Sequence, residues 1–205
     1  MLKKLLSYAR LFFGLFLSCG ILISCAGKSI SSSGGANPYR LNSKAKVTDK
    51  LSGESHNLDL TVIVDPQRAI RIDVTALLGY RLAEVVMTPQ KIQYIERENK
   101  IFVTGGYKPQ TLKPLFGQEI DPKLIWAIAH EQNLKDGRYY GTNVKFELTA
   151  PGSQDDPSRK ITLENKDLKM VWIFKSKEAV SLSSSSYNET FVLAQPVEYK
   201  LITIK

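Results

Sequence analysis

The sequence predicts a mainly β fold, one long antiparallel sheet of about nine to eleven strands with short helices plugging the mouth of the curled sheet. Two observations lead to this prediction. Apolar and polar residues alternate with a period of two along most of the chain after about residue 38, which is typical of strands with one buried and one wet face. Residues 108–134 break that alternation and carry helix signals instead. A sheet of such length curls on itself, and one helix pair is enough to fill its open end.

The first 25 residues are organised as a bacterial secretory signal that ends in a lipidation site. Basic residues within positions 1–10 precede an apolar run over residues 11–23, which is too short and wrongly flanked for a spanning helix. Residues 22–25, Leu-Ile-Ser-Cys, match a lipobox, so we expect cleavage before Cys25 and acylation of its sulfur. Cys19 follows a poorer version of the same motif. An uncleaved N-terminal anchor helix is the alternative interpretation.

Acylation of Cys25 would anchor the mature chain to a membrane without crossing it. Two or more acyl chains, such as palmitate, hold firmly at about 0.8 kcal/mol per buried methylene. Ala26 stands where many lipoproteins retained at the inner membrane have aspartate, so we expect an outer-membrane protein whose domain faces the periplasm. The chain then divides into a signal peptide (1–24), a lipidated cysteine with a Ser/Gly tether (25–38) and one β-barrel domain (39–205).

The strands of this domain are predicted from segments with apolar and polar residues in alternation. They cover residues 58–64, 70–74, 91–94, 144–148 and 160–164, and the strand pattern returns over residues 190–205 after a Ser-rich loop at 183–186. Short turns at Asp65-Pro66, Leu78-Gly79 and Pro89-Gln90 suit hairpins between consecutive strands.

Two short helices are predicted in the region that interrupts the strands. The first covers residues 110–116 and is closed by Gly117. The second begins at Asp121-Pro122, because aspartate is a good helix cap and proline fits the first helical position. Leu124, Ile125 and Ile128 then fall on one helical face, which we expect to pack against the sheet.

Composition excludes several classes of function. The two cysteines, Cys19 and Cys25, both lie in or next to the signal, so we expect neither a disulfide nor thiol chemistry in the domain. The formal charge of +8 includes three basic residues of the signal. The positive charge that remains on the mature chain indicates either a weak preference for anionic lipid headgroups or an ordinary basic surface. Lys and Arg form no dense cluster, and we expect no nucleic-acid partner.

No set of residues in the sequence makes a convincing active site. His130-Glu131 resembles the start of an HExxH zinc motif, but Leu134 stands where the second histidine would fall. No serine sits in a GxSxG motif, and the acidic residues fall in turns or on predicted wet strand faces. We therefore expect a protein that is not an enzyme and has no catalytic residues, metal or cofactor.

Two stretches of the chain resemble the lipoprotein receptors of the LolB family. Residues 70–82 are similar to the family's strand that ends in a turn with an exposed leucine. Residues 112–117, followed by residues 120–122 and the helix with Trp126, are similar to the family's helical lid. The resemblance covers roughly residues 40–175. It departs at Ala76-Leu77, where the family usually has Asn-Pro, and after residue 175, which leaves open a sister group of LolA/LolB-like lipoproteins with another cargo.

This resemblance implies an unclosed antiparallel β-barrel over helices, with a hydrophobic cavity for the acyl chains of lipoproteins. The protein would act as a monomer, receive lipoproteins from a periplasmic LolA-like carrier and insert them into the membrane through Leu77 and Leu78. The predicted cavity residues are Leu60, Val62, Ile72, Val74, Val85, Met87, Tyr94, Leu115, Phe116, Leu124, Ile128, Phe146 and Leu148. The alternatives are a lipid-binding, lipid-shuttling or envelope-assembly lipoprotein with the same fold, and a domain whose apolar residues form only a dry core.

Overall fold

The molecule is built on a single curled sheet. The computed structural model describes residues 37–66, 68–116, 119–132, 145–149 and 159–204, with only the backbone described at Leu77 and at residues 145–149. Ten strands form the sheet in these ranges: β1 Tyr39–Asp49, β2 Ser55–Asp65, β3 Ala69–Thr75, β4 Arg81–Met87, β5 Ile92–Glu96, β6 Ile101–Gly105, β7 Lys145–Thr149, β8 Arg159–Glu164, β9 Leu168–Ala179 and β10 Lys200–Ile204. The predicted fold class, mainly β with an unclosed sheet and short helices, is confirmed.

The order of the strands makes the sheet an extended meander. The order is β10-β6-β5-β4-β3-β2-β1-β9-β8-β7, so β10 and β7 are the two edges and the sheet is unclosed. Strands β1 to β6 pair with their neighbours in sequence, and β9 joins the other side of β1. All of these pairs are antiparallel, whereas β10 runs parallel to β6. The predicted turns after β2, β3 and β4 are confirmed as the connections of consecutive antiparallel strands.

One face of the sheet is concave and carries the main hydrophobic core. Because side chains alternate between faces, Val62 and Val64 of β2 point inward with Ile70 of β3, and all three are fully buried. A 3-10 turn, Pro109–Leu112, and two helices, α1 Lys113–Phe116 and α2 Pro122–Ala129, pack against this face. The predicted helix start is confirmed, since the Asp121 carboxylate accepts a hydrogen bond from the Lys123 N–H at 2.9 Å.

The carboxyl end of α2 is fixed to the sheet by two hydrogen bonds. The Tyr39 hydroxyl donates to the Ala129 carbonyl at 2.9 Å, and Arg159 Nη2 donates to the Ile128 carbonyl at 3.1 Å. These donors satisfy carbonyl groups that a helix end otherwise leaves without partners. Burial, together with the nearby charge of Glu131, raises the pKa of Tyr39 to about 12, so its hydroxyl remains a donor at neutral pH.

The convex face is covered by the C-terminal part of the chain, which corrects the prediction for residues 183–205. Residues 183–186 do not form a loop: Ser183 caps a helix, α3 Ser184–Phe191, by accepting a hydrogen bond from the Ser186 N–H. Within residues 190–205 only Lys200–Ile204 forms a strand. The prediction failed because serine is a weak helix former. The Ser183 cap, together with Tyr187 and Phe191 on the side that packs on the sheet, stabilises the helix despite this composition.

Beneath α3, the convex face contains a cluster of charged side chains. The Glu84 carboxylate pairs with Arg71 at 2.5 Å and also with Arg97, and only 8% of its side chain is exposed. Arg71 pairs with Asp73 at 2.9 Å and donates to the Thr190 carbonyl at 3.0 Å. The cluster therefore connects strands β3 and β4 to the helix that covers them.

Glu84→Gln is expected to lower the free energy of unfolding by about 2 kcal/mol at pH 7, because it removes the buried negative charge that Arg71 and Arg97 share and leaves Asp73 to pair with Arg71. Burial alone would raise the pKa of the Glu84 carboxyl, but Arg97, Arg71 and Arg81 outweigh burial and hold that pKa below its usual value. A lowered pKa stabilises the fold above the unfolded value of about 4.3, and this stabilisation is lost as the pH falls through the folded value.

The difference in the free energy of unfolding between wild type and Glu84→Gln should therefore be largest near neutral pH and should decrease below about pH 4. Denaturant unfolding of both proteins from pH 7 to pH 3 measures it. A constant difference over that range would show that ionisation of Glu84 contributes nothing to stability.

Candidate functional site

A cavity of about 790 Å³ lies between the concave face and the helices. Strands β1 to β4 and β9 form its walls, and residues of the 3-10 turn, α1 and α2 close it on the other side. The helices thus cover one side of the concave face, and the cavity opens at one end of the sheet. At that end lie the turns 50–54, 76–80, 97–100 and 165–167, which we call the mouth turns.

The interior of the cavity presents hydrocarbon. Ile72, Val85, Met87, Leu112 and Ile125 line it with apolar side chains that are almost completely buried. A concave apolar site of several hundred Å³ is the usual form of a pocket for an apolar small molecule.

The polar group of Trp172, which lines the deep part of the cavity, is already hydrogen-bonded within the protein. The indole N–H of Trp172 donates to Ser43 Oγ at 2.8 Å, and the Ser43 hydroxyl donates to the Leu60 carbonyl at 3.0 Å. Since an indole N–H is a donor only, Trp172 has no further hydrogen bond to offer a ligand. The deep part of the cavity is therefore suited to hydrocarbon.

The mouth of the cavity is polar. His56 and Asn57 from the start of β2 line it, with Glu96 at the end of β5 and Glu98 and Asn99 in the turn that follows. The Glu96 carboxylate is occupied by that turn, because it accepts hydrogen bonds from the backbone N–H groups of Glu98, at 2.7 Å, and of Asn99. Among the described residues that line the cavity, none is lysine or arginine. A polar group of a ligand would find partners only at this end.

The turn 76–80 carries exposed apolar side chains beside the mouth. It begins at one lining residue, Ala76, and is followed by another, Leu82, and the Ala76 N–H donates to the Tyr80 carbonyl at 2.8 Å. The Leu78 side chain is 100% exposed and that of Tyr80 is 62% exposed. Leu78 has φ +67° and ψ +15°, a left-handed conformation that is uncommon for a bulky residue. The backbone therefore holds a leucine outward at a cost of about 1 kcal/mol.

Comparison with known proteins identifies distant structural similarities. No protein-family model matches the chain, and no curated protein matches it. It is similar to an uncharacterised conserved protein from Thermus thermophilus, with 8% identity over 82% of this chain and 91% of that chain and a TM-score of 0.42. It is also similar to a LolA superfamily protein from Nitrosomonas europaea, with 8% identity over 77% of this chain and 90% of that chain and a TM-score of 0.41. The structural neighbours thus include a LolA superfamily member.

The structure brings most of the predicted cavity residues to the concave face. Those that line the cavity are Leu60, Ile72, Val74, Val85, Met87, Leu115 and Phe116. Val62, Tyr94, Leu124 and Ile128 are buried in the surrounding core and do not line the cavity. Phe146 and Leu148 lie in β7, whose side chains are outside the described part, as is that of Leu77; Cys25 lies outside the described residues altogether. That these residues bind lipid stays a prediction.

The sequence prediction missed two strands that contribute to the cavity. Ala45 and Val47 of β1 line it, as do Met170 and Trp172 of β9. Alternation of Tyr39, Leu41, Ser43, Ala45 and Val47 was the available signal for β1, but serine and alanine at inward positions weaken it. In β9, residues 168–174 form an apolar run interrupted only by Lys169, so the period-two signal is weak there as well.

His130 has a packing role in the described structure. It follows the last residue of α2, its ring stacks on Trp126 with centroids 4.3 Å apart, and its Nδ1 lies 2.9 Å from the Trp126 carbonyl. Burial lowers its pKa below the usual value, which favours the neutral ring. Over the ranges that the structure describes, no group of three His, Cys, Asp or Glu residues could hold a metal ion. In the same ranges, no helix has the length and apolar character needed to cross a membrane.

Proposed function

We propose that this protein is a lipid-anchored outer-membrane lipoprotein that holds acyl chains in its cavity, accepts lipoproteins from a periplasmic LolA-like carrier and inserts them into the membrane. The observation that carries the proposal is the apolar cavity of about 790 Å³ that opens beside an outward-held leucine. The cavity offers a place for hydrocarbon, and the leucine offers a contact with a membrane or a carrier.

Energetics favour direct transfer between cavities. A lipoprotein with three acyl chains carries several tens of methylenes, each worth about 0.8 kcal/mol when buried, so its release into water is negligibly slow. Transfer from one apolar cavity to another and then into a bilayer avoids that cost at every step. Such a path needs no nucleotide and no catalytic residue.

The near balance of charges at the mouth supports a membrane contact that is hydrophobic and not electrostatic. The mouth turns contain four positive side chains, Lys50, Arg97, Lys100 and Lys166, and three negative ones, Glu54, Glu98 and Asp167. Lys100 is in addition 3.7 Å from Glu198. Because opposite charges balance closely here, attraction to anionic lipid is weak, and we expect membrane contact through this end to depend little on salt.

The lipids that co-purify with the protein from membranes test the proposal. Native mass spectrometry should detect bound lipoprotein. A diacyl phospholipid or glycolipid as the sole ligand would favour the alternative function, lipid shuttling by the same fold. Recovery of the protein without any lipid, combined with no binding of added lipid, would favour a domain with a dry core.

Cys25→Ala, expressed behind a cleavable secretory signal, is expected to yield a folded protein released in the soluble periplasmic fraction. The physical reason is that acyl chains on Cys25 are the proposed anchor, whereas the described fold begins twelve residues later, at Asn37. Fractionation with salt-washed membranes measures the outcome, and Cys19→Ala is the matched control that should stay in membranes. Recovery of Cys25→Ala mainly in washed membranes would contradict lipid anchoring through this residue.

A further inference from the structure

Exposed apolar side chains are concentrated at the mouth end of the sheet. Of the six large apolar residues that the described part of the chain leaves exposed, four lie there: Leu51, Leu78, Tyr80 and Val197. Leu51 is 80% exposed in the turn between β1 and β2, and Val197 is completely exposed in the turn 196–199 that precedes β10. A surface that meets only water scatters such residues singly, so their grouping at one end indicates a contact that covers them.

The turn 196–199 belongs to the mouth end because β10 runs parallel to β6. Lys200, at the start of β10, is in register with the first residue of β6. Its N–H donates to the carbonyl of Lys100 at 2.9 Å, and Lys100 lies in the mouth turn between β5 and β6. Val197 is therefore at the same end of the sheet as the mouth turns.

Leu51 is held outward by a closed turn. The Asp49 carboxylate accepts hydrogen bonds from the backbone N–H groups of Leu51, at 2.7 Å, and of Ser52, at 3.2 Å. The Lys50 N–H donates to the Asp167 carbonyl of the neighbouring mouth turn at 2.8 Å. Because the backbone is already fixed in this way, covering the leucine with a partner costs little further ordering of the chain.

The hairpin that carries Leu51 projects beyond its neighbour. Thr75, the last residue of β3, pairs with Asp59 of β2, whereas β2 continues for four more residues, to Ser55. Those four residues extend about 13 Å along the strand. Measured along the strands, Leu51 therefore reaches at least as far out as Leu78.

The spacing of these side chains fits a bilayer better than a protein partner. Six strand spacings of about 4.8 Å separate β10 from β1, so the outermost tips lie about 29 Å apart along the curled edge, with charged residues of the mouth turns between them. A protein partner needs a continuous packed surface of about 800 Å². Separate apolar tips can instead enter the acyl boundary of a bilayer while their charged neighbours stay among the headgroups, where Tyr80 is also favoured.

The charges at this end fit a bilayer without net charge. Glu198, in the turn 196–199, adds a fourth carboxylate to the three of the mouth turns, which contain four cations. It lies 3.7 Å from Lys100. Because positive and negative side chains are then equal in number, a zwitterionic surface such as phosphatidylcholine suits this end of the molecule.

The proposed anchor allows the mouth to reach the membrane that holds Cys25. Tyr39, at the far end of β1, lies eleven strand residues, or about 36 Å, from the mouth. The fourteen residues from Cys25 to Tyr39 span at most about 50 Å. The chain between the two is therefore long enough for the mouth to rest on the anchoring bilayer.

We infer that Leu51, Leu78, Tyr80 and Val197 form an apolar rim that seats the mouth of the cavity on the surface of a zwitterionic bilayer. This inference rests on the proposed function and adds the surface through which the cavity and the membrane come together. An acyl chain then passes between the cavity and the bilayer within the area that the rim covers, without crossing water.

A fluorophore at each tip tests the apolar rim on the full lipidated protein. With Cys25 acylated, an introduced cysteine is the only free thiol of the mature chain. Leu51→Cys, Leu78→Cys and Val197→Cys are labelled and inserted into preformed phosphatidylcholine vesicles that contain a nitroxide-bearing lipid. Gln90→Cys, exposed in the turn at the opposite end, is the matched control, and wild type carried through the labelling is the blank. We expect the nitroxide to quench all three tips at least about threefold more than the control.

The possible results separate the apolar rim from the proposed function. Quenching at Leu78 alone would overturn the rim and leave the proposed insertion through that leucine intact. Quenching at none of the tips would overturn the rim and also contradict membrane insertion by this end. Equal quenching at Gln90 would show that the molecule lies on its side, and a response of the Leu51 and Val197 labels only to an added LolA-like carrier would assign them to a protein contact. Either of these results overturns the inference.

Discussion

Ile72→Glu is expected to abolish binding of a fluorescent acyl probe and to lower the free energy of unfolding by about 3 kcal/mol. Ile72 lies on β3, lines the cavity and has 7% of its surface exposed. Its partners in register, Val62 on β2 and Val85 on β4, are apolar and offer the new carboxylate no hydrogen bond from their side chains. The charge therefore costs stability and makes the cavity polar where the ligand needs hydrocarbon.

Two further variants make this result interpretable. Val74→Glu puts the same charge on the same face of β3 nearer the mouth, at a half-buried position, so it should block probe binding at a smaller cost in stability. Gln93→Glu adds a charge on the convex face of β5 and should bind the probe like wild type. Probe fluorescence and denaturant unfolding are measured for all four proteins. Normal binding by a folded Val74→Glu protein would show that the acyl chain lies elsewhere.

The alternation of side chains made most of the concave face predictable. In β3, Ile70, Ile72 and Val74 alternate with charged residues, and a strand of this type has only one way to bury its apolar side. The start of α2 at Asp121-Pro122 was equally clear, because the cap and the proline have specific local roles. These features depend on neighbours in sequence, which is why the sequence alone contains them.

The parts that could not be predicted depend on contacts between distant residues. Val86 and Phe102 are apolar residues on the convex face, and the sequence does not indicate which part of the chain covers them. In the structure, Phe191 of α3 packs in the same buried cluster. Nothing near Phe191 in sequence indicates that contact. Likewise, the distance between the helices and the sheet decides which inward-facing residues pack in the core and which line the cavity. Val62 and Val85 flank Ile72 of β3 on its two neighbouring strands and belong to the same core, yet of the two only Val85 lines the cavity.

Leu78 was singled out because large apolar side chains are unusual at a turn between strands. The alternative was that this leucine folds back onto the rim of the barrel, and its complete exposure excludes a buried position. Gly79, also in the left-handed region with φ +76°, follows it and completes the turn. A non-glycine residue held in this conformation without any packing is a reason to look for a contact with another molecule.

Leu78→Glu is expected to leave the thermal midpoint, membrane anchoring and probe binding unchanged while stopping transfer of lipoproteins to liposomes. The fold is unaffected because the side chain contacts solvent only, and the cavity is unaffected because Leu78 does not line it. Transfer stops because a carboxylate at the tip must lose its water to enter a bilayer, which costs several kcal/mol. Leu78→Ala is the matched control, and it should reduce transfer by about fiftyfold, since it removes about three methylene equivalents of insertion energy, or about 2.4 kcal/mol, without adding charge.

Transfer of cargo lipoproteins to neutral liposomes is measured for wild type, Leu78→Glu and Leu78→Ala, each at low and at high salt. Because charges of the mouth turns nearly cancel, salt should change transfer by the wild type only slightly. A large effect of salt would point to electrostatic attachment instead of insertion of the leucine. Normal transfer by Leu78→Glu would exclude the leucine as the inserting group, and a large fall in its thermal midpoint would mean that this side chain packs against the protein. If transfer follows the size and polarity of residue 78 while probe binding stays constant, the cavity holds the chain and the turn delivers it.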